Sequence, residues 1–228
     1  MKSFLSALAI SSAMLFAAKN EDADNAKRLK VSQEVLQEAM NAGDQSIPRD
    51  LIERAHCVAV IPGMKQAGFI VGGKYGKGYL MCRKEGGGWQ GPAAVRIEGG
   101  SFGLQIGGGE TDLILLVMNK AGRDRILRNE FKMGGSAAVM AGPLGKNVQA
   151  ETDLYMRAEM LGYSRSRGVF AGLALNGSTL REDLDDNQAL YGSKLSNTQI
   201  LDRDQVKTPE MGQGLLRQLS AISTWEKK

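Results

Sequence analysis

The chain is poor in the residue types on which most active sites depend. Its 228 residues include one histidine, His56, and two cysteines, Cys57 and Cys82. One histidine is too few for a multi-histidine metal centre, and a Ser-His-Asp triad would have to be built around His56 alone. A lone histidine between a predicted short helix and a predicted strand is typical of a structural residue. We therefore expect no enzymatic activity, no bound metal and no cofactor, and a hydrolase would need a serine or an aspartate beside His56.

Nucleotide-binding motifs are also missing. The segment 142–146 ends in a Gly-Lys pair, but a Walker motif needs glycine at position 140 and serine or threonine at 147, where the chain has Met140 and Asn147. The carboxylate cluster EDLDD at 182–186 is not followed by a glycine-centred calcium loop and is typical of a solvated helix start. The net charge of +4 is too small for the dense basic patch of a nucleic-acid binder. We expect neither a nucleotide nor a nucleic acid as a partner.

Long hydrophobic runs are confined to the N-terminus. Lys2 precedes 15 uncharged, mostly apolar residues at 4–18, fewer than the roughly 20 that span a bilayer. This pattern predicts a secretory signal peptide over residues 1–18, with an uncleaved membrane anchor as the alternative. Lys19 stands where a lipoprotein would carry its lipidated cysteine. The protein is therefore expected to be exported, and to be periplasmic or peripherally membrane-associated.

Two cysteines in an exported chain are candidates for one disulfide. Cys57 and Cys82 both lie on predicted strands, 25 residues apart. The order of the strands cannot be derived from spacing, so a bridge and two buried thiols both remain open at this point.

Glycine is abundant, and it marks the fold. Of the 29 glycines, 21 lie between Gly63 and Gly145, interleaved with short apolar runs. The runs predict six strands, and the short connections between them favour antiparallel pairing. These strands are expected at 57–61, 67–72, 78–83, 93–98, 101–107 and 111–118, with further strands at 134–145 and 168–175. Helices are expected at 49–55, 121–130, 184–191 and 209–224, while 151–161 stays undecided. The fold class expected is α+β, a strongly curved antiparallel sheet or partial barrel flanked by N-terminal, middle and C-terminal helices.

The segment 21–40 predicts an amphipathic helix. Its apolar residues recur at spacings of three and four, and Lys27, Arg28 and Lys30 gather near its start. The apolar stripe can pack on the domain, or the helix can lie on a lipid surface with its basic end at the headgroups. The domain organisation expected is a signal peptide at 1–18, the N-terminal amphipathic helix at 19–46, and a main domain at 47–228 that ends in a helical extension.

The remaining candidates for a site are cations beside glycines in predicted turns. Their ordinary role is solubility, but cations that converge on one face attract an anionic membrane by about 1 kcal/mol each. Together with the basic residues of the helix, the candidate lipid-binding residues are Lys27, Arg28, Lys30, Lys65, Lys74, Lys77, Arg83, Lys84, Arg165 and Arg167.

Several long motifs resemble those of the SYLF domain family, lipid-binding domains typified by yeast actin-regulating proteins and found also in bacterial exported proteins. The motifs are AHCVAVIPGMKQAGFIVGGKYGKGYLMCR at 55–83, GGWQGPAAVRIEGGSFGLQIGGGETDLILLVMN at 87–119, AGPLGK at 141–146, SRSRGVFAGLALNG at 164–177 and NQALYG at 187–192. The resemblance covers roughly residues 47–192 and is greatest to the bacterial branch. It implies binding of phosphoinositides and other acidic phospholipids, in part through an N-terminal amphipathic helix, and no fixed catalytic residues. Some members bind actin filaments, a property that we do not transfer to an exported chain.

The function expected is that of a non-enzymatic exported module that associates peripherally with anionic phospholipid membranes, with no protein partner assigned. The alternative is a structural protein of the cell envelope that binds a protein partner or a cell-wall polymer. A contiguous exposed apolar patch without surrounding cations would favour that alternative.

Overall fold

The computed structural model describes residues 2–68, 71–102, 107–133, 139–145, 155, 158–166, 168–173, 175, 177–202 and 206–223, without the side chains of 2–21, 67–71 and 101–108. The helices are α1 (Lys2–Asn41), α2 (Arg49–Arg54), α3 (Lys120–Ile126), α4 (Leu184–Tyr191), α5 (Asn197–Asp202) and α6 (Gln213–Ile222). The strands are β1 (Cys57–Gly68), β2 (Val71–Arg83), β3 (Trp89–Phe102), β4 (Gly107–Val117), β5 (Glu130–Met133), β6 (Val139–Ala141), β7 (Met160–Ser166), β8 (Val169–Gly172) and β9 (Ser178–Glu182). Short 3₁₀ turns lie at Gly43–Gln45 and Glu210–Gly212.

The strands form one strongly curled sheet with the order β5-β9-β3-β2-β1-β4-β7-β6, and β8 also pairs with β7. All described strand pairs are antiparallel except β6 with β7, which is parallel. Helices lie in the N-terminal, middle and C-terminal regions of the chain. The predicted α+β class, with a curved sheet or partial barrel and helices in these three regions, is confirmed.

The central strands are longer than the sequence pattern indicates. The six predicted strands are parts of four, because strand structure continues through the gaps left between them, as it does between 61 and 67 in β1. The chain passes this point in β1 through a register shift between Val60 and Lys65, with Gly63 at a φ of 58°. The predicted strand at 67–72 is divided between the end of β1 and the start of β2. The predicted strand at 101–107 is divided in the same way between β3 and β4, with 103–106 outside the described residues.

The shorter elements differ from their expected bounds. The helix expected at 121–130 ends at Ile126, and Glu130 already begins β5, which pairs with β9. Within 134–145 the described strand is limited to Val139–Ala141. The sequence pattern did not predict β9 or α5, which are short and lack a clear period.

The two faces of the sheet carry two separate cores. On one face, which we call the α1 face, α1 and α6 pack against residues such as Val60, Tyr79 and Ile114. On the opposite face, which we call the inner face, residues such as Ile97 and Leu115 form a second cluster with side chains of α3 and α5. Alternation along each strand places neighbouring residues in different cores.

The second half of α1 is sealed into the α1-face core. Leu29, Val35, Leu36 and Ala39 are each at most 1% exposed. Burying each large apolar side chain stabilises the fold by about 1.5–3 kcal/mol, so this stripe belongs to the domain. The helix predicted at 21–40 is confirmed and is longer, since it begins at Lys2. Within the part of the chain that the structure describes, no helix has both the length and the apolarity needed to cross a membrane.

Candidate membrane-binding surface

Two of the candidate cations, Arg28 and Lys77, converge on one buried carboxylate. Nη1 of Arg28 lies 2.7 Å from Oδ2 of Asp186, and Nζ of Lys77 lies 3.0 Å from its Oδ1. Lys77 also contacts Oδ2 of Asp183 at 2.9 Å. We call these four residues the anchor cluster. The cluster ties α1 and β2 to the start of α4, so two of the candidate lipid-binding cations are engaged within the protein.

A buried tyrosine extends the anchor cluster toward α1. The hydroxyl of Tyr79 donates a hydrogen bond to Oδ1 of Asn25 at 2.8 Å, and Nη1 of Arg28 donates to the same oxygen at 3.1 Å. Burial raises the pKa of Tyr79, so its hydroxyl stays protonated and remains a donor. The start of the buried part of α1 is therefore fixed by polar contacts as well as by its apolar stripe.

The carboxylates at 182–186 correct an expectation from the sequence. Asp183 and Asp186 are 2% and 6% exposed, so this segment is not a fully solvated helix start. The side chain of Asp183 accepts a hydrogen bond from the backbone N–H of Asp186 and caps α4. An aspartate directly before a helix is a recognisable N-cap signal. The partners across the fold, Arg28 and Lys77, carry no such signal in the sequence.

The contacts of Lys77 and Asp183 keep both residues in their charged state. Burial alone would raise the pKa of Asp183, but hydrogen bonds from Lys77 and from the backbone N–H of Asp186 bring it below its ordinary 3.8. Burial alone would lower the pKa of Lys77, but its hydrogen bonds to Asp183 and Asp186 raise it above 10.5. The contribution of Asp183 to stability is complete above pH 3.8 and is lost as the pH falls through its lowered pKa. That of Lys77 is complete below pH 10.5 and is lost as the pH rises through its raised pKa.

Replacing Asp186 with asparagine is expected to lower the free energy of unfolding by about 2 kcal/mol, since Arg28 and Lys77 lose their shared counter-charge while remaining partly solvated. Urea denaturation at neutral pH measures this loss. Asp185→Asn is the matched control, because Asp185 is an exposed neighbour whose ion pair within the described residues is with exposed Lys194 at 3.2 Å. The control is expected to change stability by less than about 0.5 kcal/mol. Equal losses in the two variants would contradict the role of the anchor cluster.

Two further candidates hold secondary structure in place. Nε of Arg165 lies 2.6 Å from Oδ2 of Asp112, and its Nη1 pairs with Glu38, which connects β7 to α1.

Arg83 is 8% exposed, and its guanidinium lies 4.3 Å from the ring centroid of Trp89. Arg83 also donates hydrogen bonds to backbone carbonyls of residues 52, 53 and 55, at and just after α2. Burial lowers the pKa of Arg83 to about 10, so it remains a cation at neutral pH. Arg167 lies outside the described residues.

The remaining candidate cations lie in separate places. Lys27 and Lys30 are on the exposed side of α1, and Lys84 follows the end of β2. Lys74 lies near the other end of β2, on the inner face. Lys65 is close to Lys74 along the sheet but on the α1 face, where it makes only a 4.0 Å contact with exposed Glu110. The structure therefore does not gather the ten predicted residues on one face.

Cys57 and Cys82 stand directly opposite each other on β1 and β2 and are joined by a disulfide with an S–S distance of 2.05 Å. Both residues are fully buried. Of the two possibilities that the sequence left open, the structure contains the bridge.

The surroundings of His56 do not form a nucleophile–base pair. Its pKa is lowered by burial and by the nearby charges of Arg123 and Arg83. Among the described residues, no serine or carboxylate makes a hydrogen bond to its ring. The described residues also contain no group of three or more histidine, cysteine or acidic side chains placed to hold a metal ion.

Comparison with known proteins assigns a family to this arrangement. The family described as "Ysc84: Las17-binding protein actin regulator" matches residues 98–222. Similar proteins include SH3 domain-containing YSC84-like protein 1 of Xenopus laevis, 34% identical over 175 residues that make up 76% of this chain and 51% of that protein. Protein YSC84 of Saccharomyces cerevisiae is 32% identical over 181 residues, 78% of this chain and 38% of its own length. An SH3 domain-containing protein of Schizosaccharomyces pombe is 33% identical over 178 residues, 77% of this chain and 41% of its own. The chain spans about half or less of the length of these relatives. Their names refer to YSC84 or to SH3 domains and not to an enzymatic activity.

Proposed function

The chain belongs to the Ysc84 family, the family that its SYLF-like motifs indicate, and from this premise we propose that it is a non-enzymatic exported module that associates peripherally with anionic phospholipid membranes. Its assignment to a bacterial exported branch is part of the same proposal. The SYLF resemblance supports it, because eukaryotic members of that family bind acidic phospholipids.

One feature of α1 carries the proposal. The helix is continuous from Lys2 to Asn41, its second half is fixed to the sheet, and Lys27 and Lys30 lie one turn apart on its exposed side. Neither lysine makes an ion pair with a described residue. Exposed Asp24 and Glu34 flank them along the helix, so their attraction to a surface is short-ranged and falls with salt.

The buried stripe of α1 changes the expected mode of docking. Leu29, Val35 and Leu36 are closed into the core and are not available for insertion into a bilayer while the domain is folded. In our proposal, the lysines supply electrostatic attraction, and the apolar residues at 4–18 add hydrophobic contact wherever they are retained on the chain.

The double variant Lys27→Gln/Lys30→Gln is expected to bind anionic vesicles about 30-fold more weakly at low salt, since each lysine near the surface contributes about 1 kcal/mol. Co-sedimentation of the full chain with vesicles of phosphatidylglycerol and phosphatidylcholine measures this change across a salt series. Pure phosphatidylcholine vesicles give the neutral reference.

The matched control is Lys120→Gln/Arg128→Gln, which removes the same charge from exposed residues at α3, whose side chains pack on the inner face. It is expected to bind within about twofold of the unchanged protein, since charges beyond a Debye length of about 10 Å are screened. Binding that ignores both lipid charge and salt would contradict the proposal.

Export is supported by the disulfide, because such bonds persist mainly in oxidising compartments. The signal peptide proposed at 1–18 would be removed on export, which leaves Lys27 and Lys30 in place. Intact mass of the protein from its native membrane fraction tests the removal of residues 1–18 and the presence of the bridge together.

A second candidate function is binding of a protein partner of the actin machinery. The match of residues 98–222 to a family described as Las17-binding actin regulators favours it. Co-sedimentation of the full chain with actin filaments tests this role. The structural-protein alternative would be favoured by one exposed apolar patch; on the described surface the exposed large apolar side chains Tyr75, Val169, Leu184 and Met211 belong to four different elements.

A further inference from the structure

Strand β5 forms one edge of the sheet. It pairs with β9 on one side, and no described strand pairs with its other side. Phe131 and Met133 are buried in the inner-face core. Glu130 and Lys132 alternate with them and lie on the α1 face, where the side chain of Lys132 is 80% exposed. An edge strand of this kind offers backbone donors and acceptors to another strand.

The backbone hydrogen bonds show which residues of β5 face outward. The N–H of Glu182 in β9 donates to the carbonyl of Asn129 at 3.2 Å. Backbone groups of alternate residues point to the same side of a strand, so those of Asn129 and Phe131 are directed at β9. The N–H and C=O groups of Glu130 and Lys132 are therefore directed away from the sheet, where no described strand lies.

We propose that β5 pairs with the β5 strand of a second copy of this chain, so that the two sheets join across a two-fold axis at Phe131. In this antiparallel pairing, Glu130 of each copy lies opposite Lys132 of the other. Both residues are the outward-facing ones, so each such pair exchanges both of its backbone hydrogen bonds. The interface is isologous, because the same strand serves on both sides, and it closes at the dimer.

The charges of β5 select this register. A carboxylate faces an ammonium in both pairs, and opposite charges directly across neighbouring strands stabilise the pairing. The nearest registers that also use the outward-facing backbone groups place Glu130 opposite Glu130 or Lys132 opposite Lys132. Both of these registers bring like charges together. Charges on an edge strand normally keep other strands away, so the same side chains discourage unrelated partners while they suit a second copy.

The contacts of these side chains within one copy leave them available to the other. Nζ of Lys132 lies 3.7 Å from Oε1 of Glu130, a contact at the surface that contributes little to stability. Arg181 pairs with the other oxygen of Glu130, Oε2, at 2.9 Å. Oε1 can therefore accept from the ammonium of the second copy while the pair with Arg181 is kept. A surface cavity of about 600 Å³, lined in part by Asn129 and Glu130, leaves space for the second copy at this end of β5.

The joined sheet presents the α1 face of both copies on the same side, since the two-fold axis is perpendicular to the sheet. Lys27 and Lys30 of the two copies are then able to engage one anionic surface together, which strengthens binding without any new contact. This consequence rests on the proposed function. The pairing of β5 does not, because its test contains no lipid.

Sedimentation velocity of the full chain in buffer tests the pairing. Between about 5 and 500 µM, where small interfaces dissociate, the weight-average mass is expected to rise from 24.5 kDa toward twice that value. The backbone amides of Glu130 and Lys132 are expected to gain protection from hydrogen exchange over the same range. A monomer at every concentration would overturn the proposal.

Charge reversal locates the interface. Lys132→Glu places like charges opposite each other in both pairs and is expected to weaken the dimer at least about tenfold, as is Glu130→Lys. An equimolar mixture of the two variants is expected to restore the dimer, because every charge then faces its opposite again. Lys65→Glu is the matched control, since Lys65 is an exposed cation on the same face of the central strand β1. It is expected to change dimerisation by less than about twofold.

The mixture also controls for folding, since Glu130→Lys removes the ion pair with Arg181 as well. A restored dimer requires that both variants fold. A dimer that persists unchanged in Lys132→Glu would place the interface elsewhere and contradict the proposal. A dimer that fails to bind anionic vesicles would overturn the proposed function and leave the pairing of β5 standing, whereas vesicle binding by a protein that stays monomeric would do the reverse.

Discussion

Removing the disulfide by the double substitution Cys57→Ala/Cys82→Ala is expected to lower the free energy of unfolding by about 3.5 kcal/mol. The bridge joins residues 25 positions apart and so restricts the unfolded chain, which in the chain-entropy description is the main source of its effect. Because both residues are buried, the lost sulfur contacts add to this cost rather than offset it. Urea denaturation under non-reducing conditions, monitored by circular dichroism, gives the difference in stability.

Reduction of the unchanged protein provides the control for the cysteine variant. Once a strong thiol reductant has reduced the bridge in the unfolded chain, the free energy of unfolding of the unchanged protein is expected to fall by most of the same amount. The free energy of unfolding of the double variant should not depend on the reductant. The thiols of the folded protein are shielded, since Cys57 and Cys82 are fully buried, so reduction before unfolding is expected to be slow. Identical unfolding curves with and without reductant would show that the bridge does not form in solution.

The elements that could be predicted from the sequence are those whose signal is local. The spacing of Leu29, Val35 and Leu36 predicted the buried part of α1, and the apolar run at 111–118 predicted the core of β4. Each of these patterns arises because a single helix or strand packs against a single core, so a short window of sequence contains the whole pattern. The same local reasoning ended the first predicted strand at 61, just before Pro62-Gly63, where β1 continues through a register shift. Glycine and proline indicate an irregular backbone, but a bulge and a turn use the same residues.

The arrangement of the cations could not be predicted, because it depends on contacts between distant parts of the chain. Asp186 is 158 residues from Arg28 and 109 from Lys77, and no spacing rule connects such positions. Lys65 and Lys74 belong to one hairpin, yet the register shift in β1 and the alternation of the strands place them on opposite faces. Residue types thus identified which side chains carry charge, while the sheet register decides which of them are free.

Arg83 is an example of a candidate lipid-binding cation whose contacts in the structure are those of a structural residue. The residue is a candidate for headgroup binding by its position beside glycines in the sequence. In the structure its guanidinium is buried, hydrogen-bonded to carbonyls of Ile52, Glu53 and Ala55, and close to the face of Trp89. Arginine presents several donors in one planar fork, so a single side chain can satisfy these carbonyls together. Its burial therefore stabilises the junction between α2 and the sheet and leaves little of the charge for a membrane.

The substitution Arg83→Met is accordingly expected to lower the free energy of unfolding by about 3 kcal/mol, because three backbone carbonyls lose their donor and the contact with Trp89 is weakened. Arg83→Lys should recover only part of the loss, since an ammonium lacks the planar fork. Lys84→Met is the matched control: it removes the same charge one residue away, from a half-exposed side chain, and should shift stability by less than about 0.5 kcal/mol. At a temperature where all variants remain folded, Arg83→Met should bind anionic vesicles like the unchanged protein. Unchanged stability together with lost vesicle binding would instead make Arg83 a headgroup ligand.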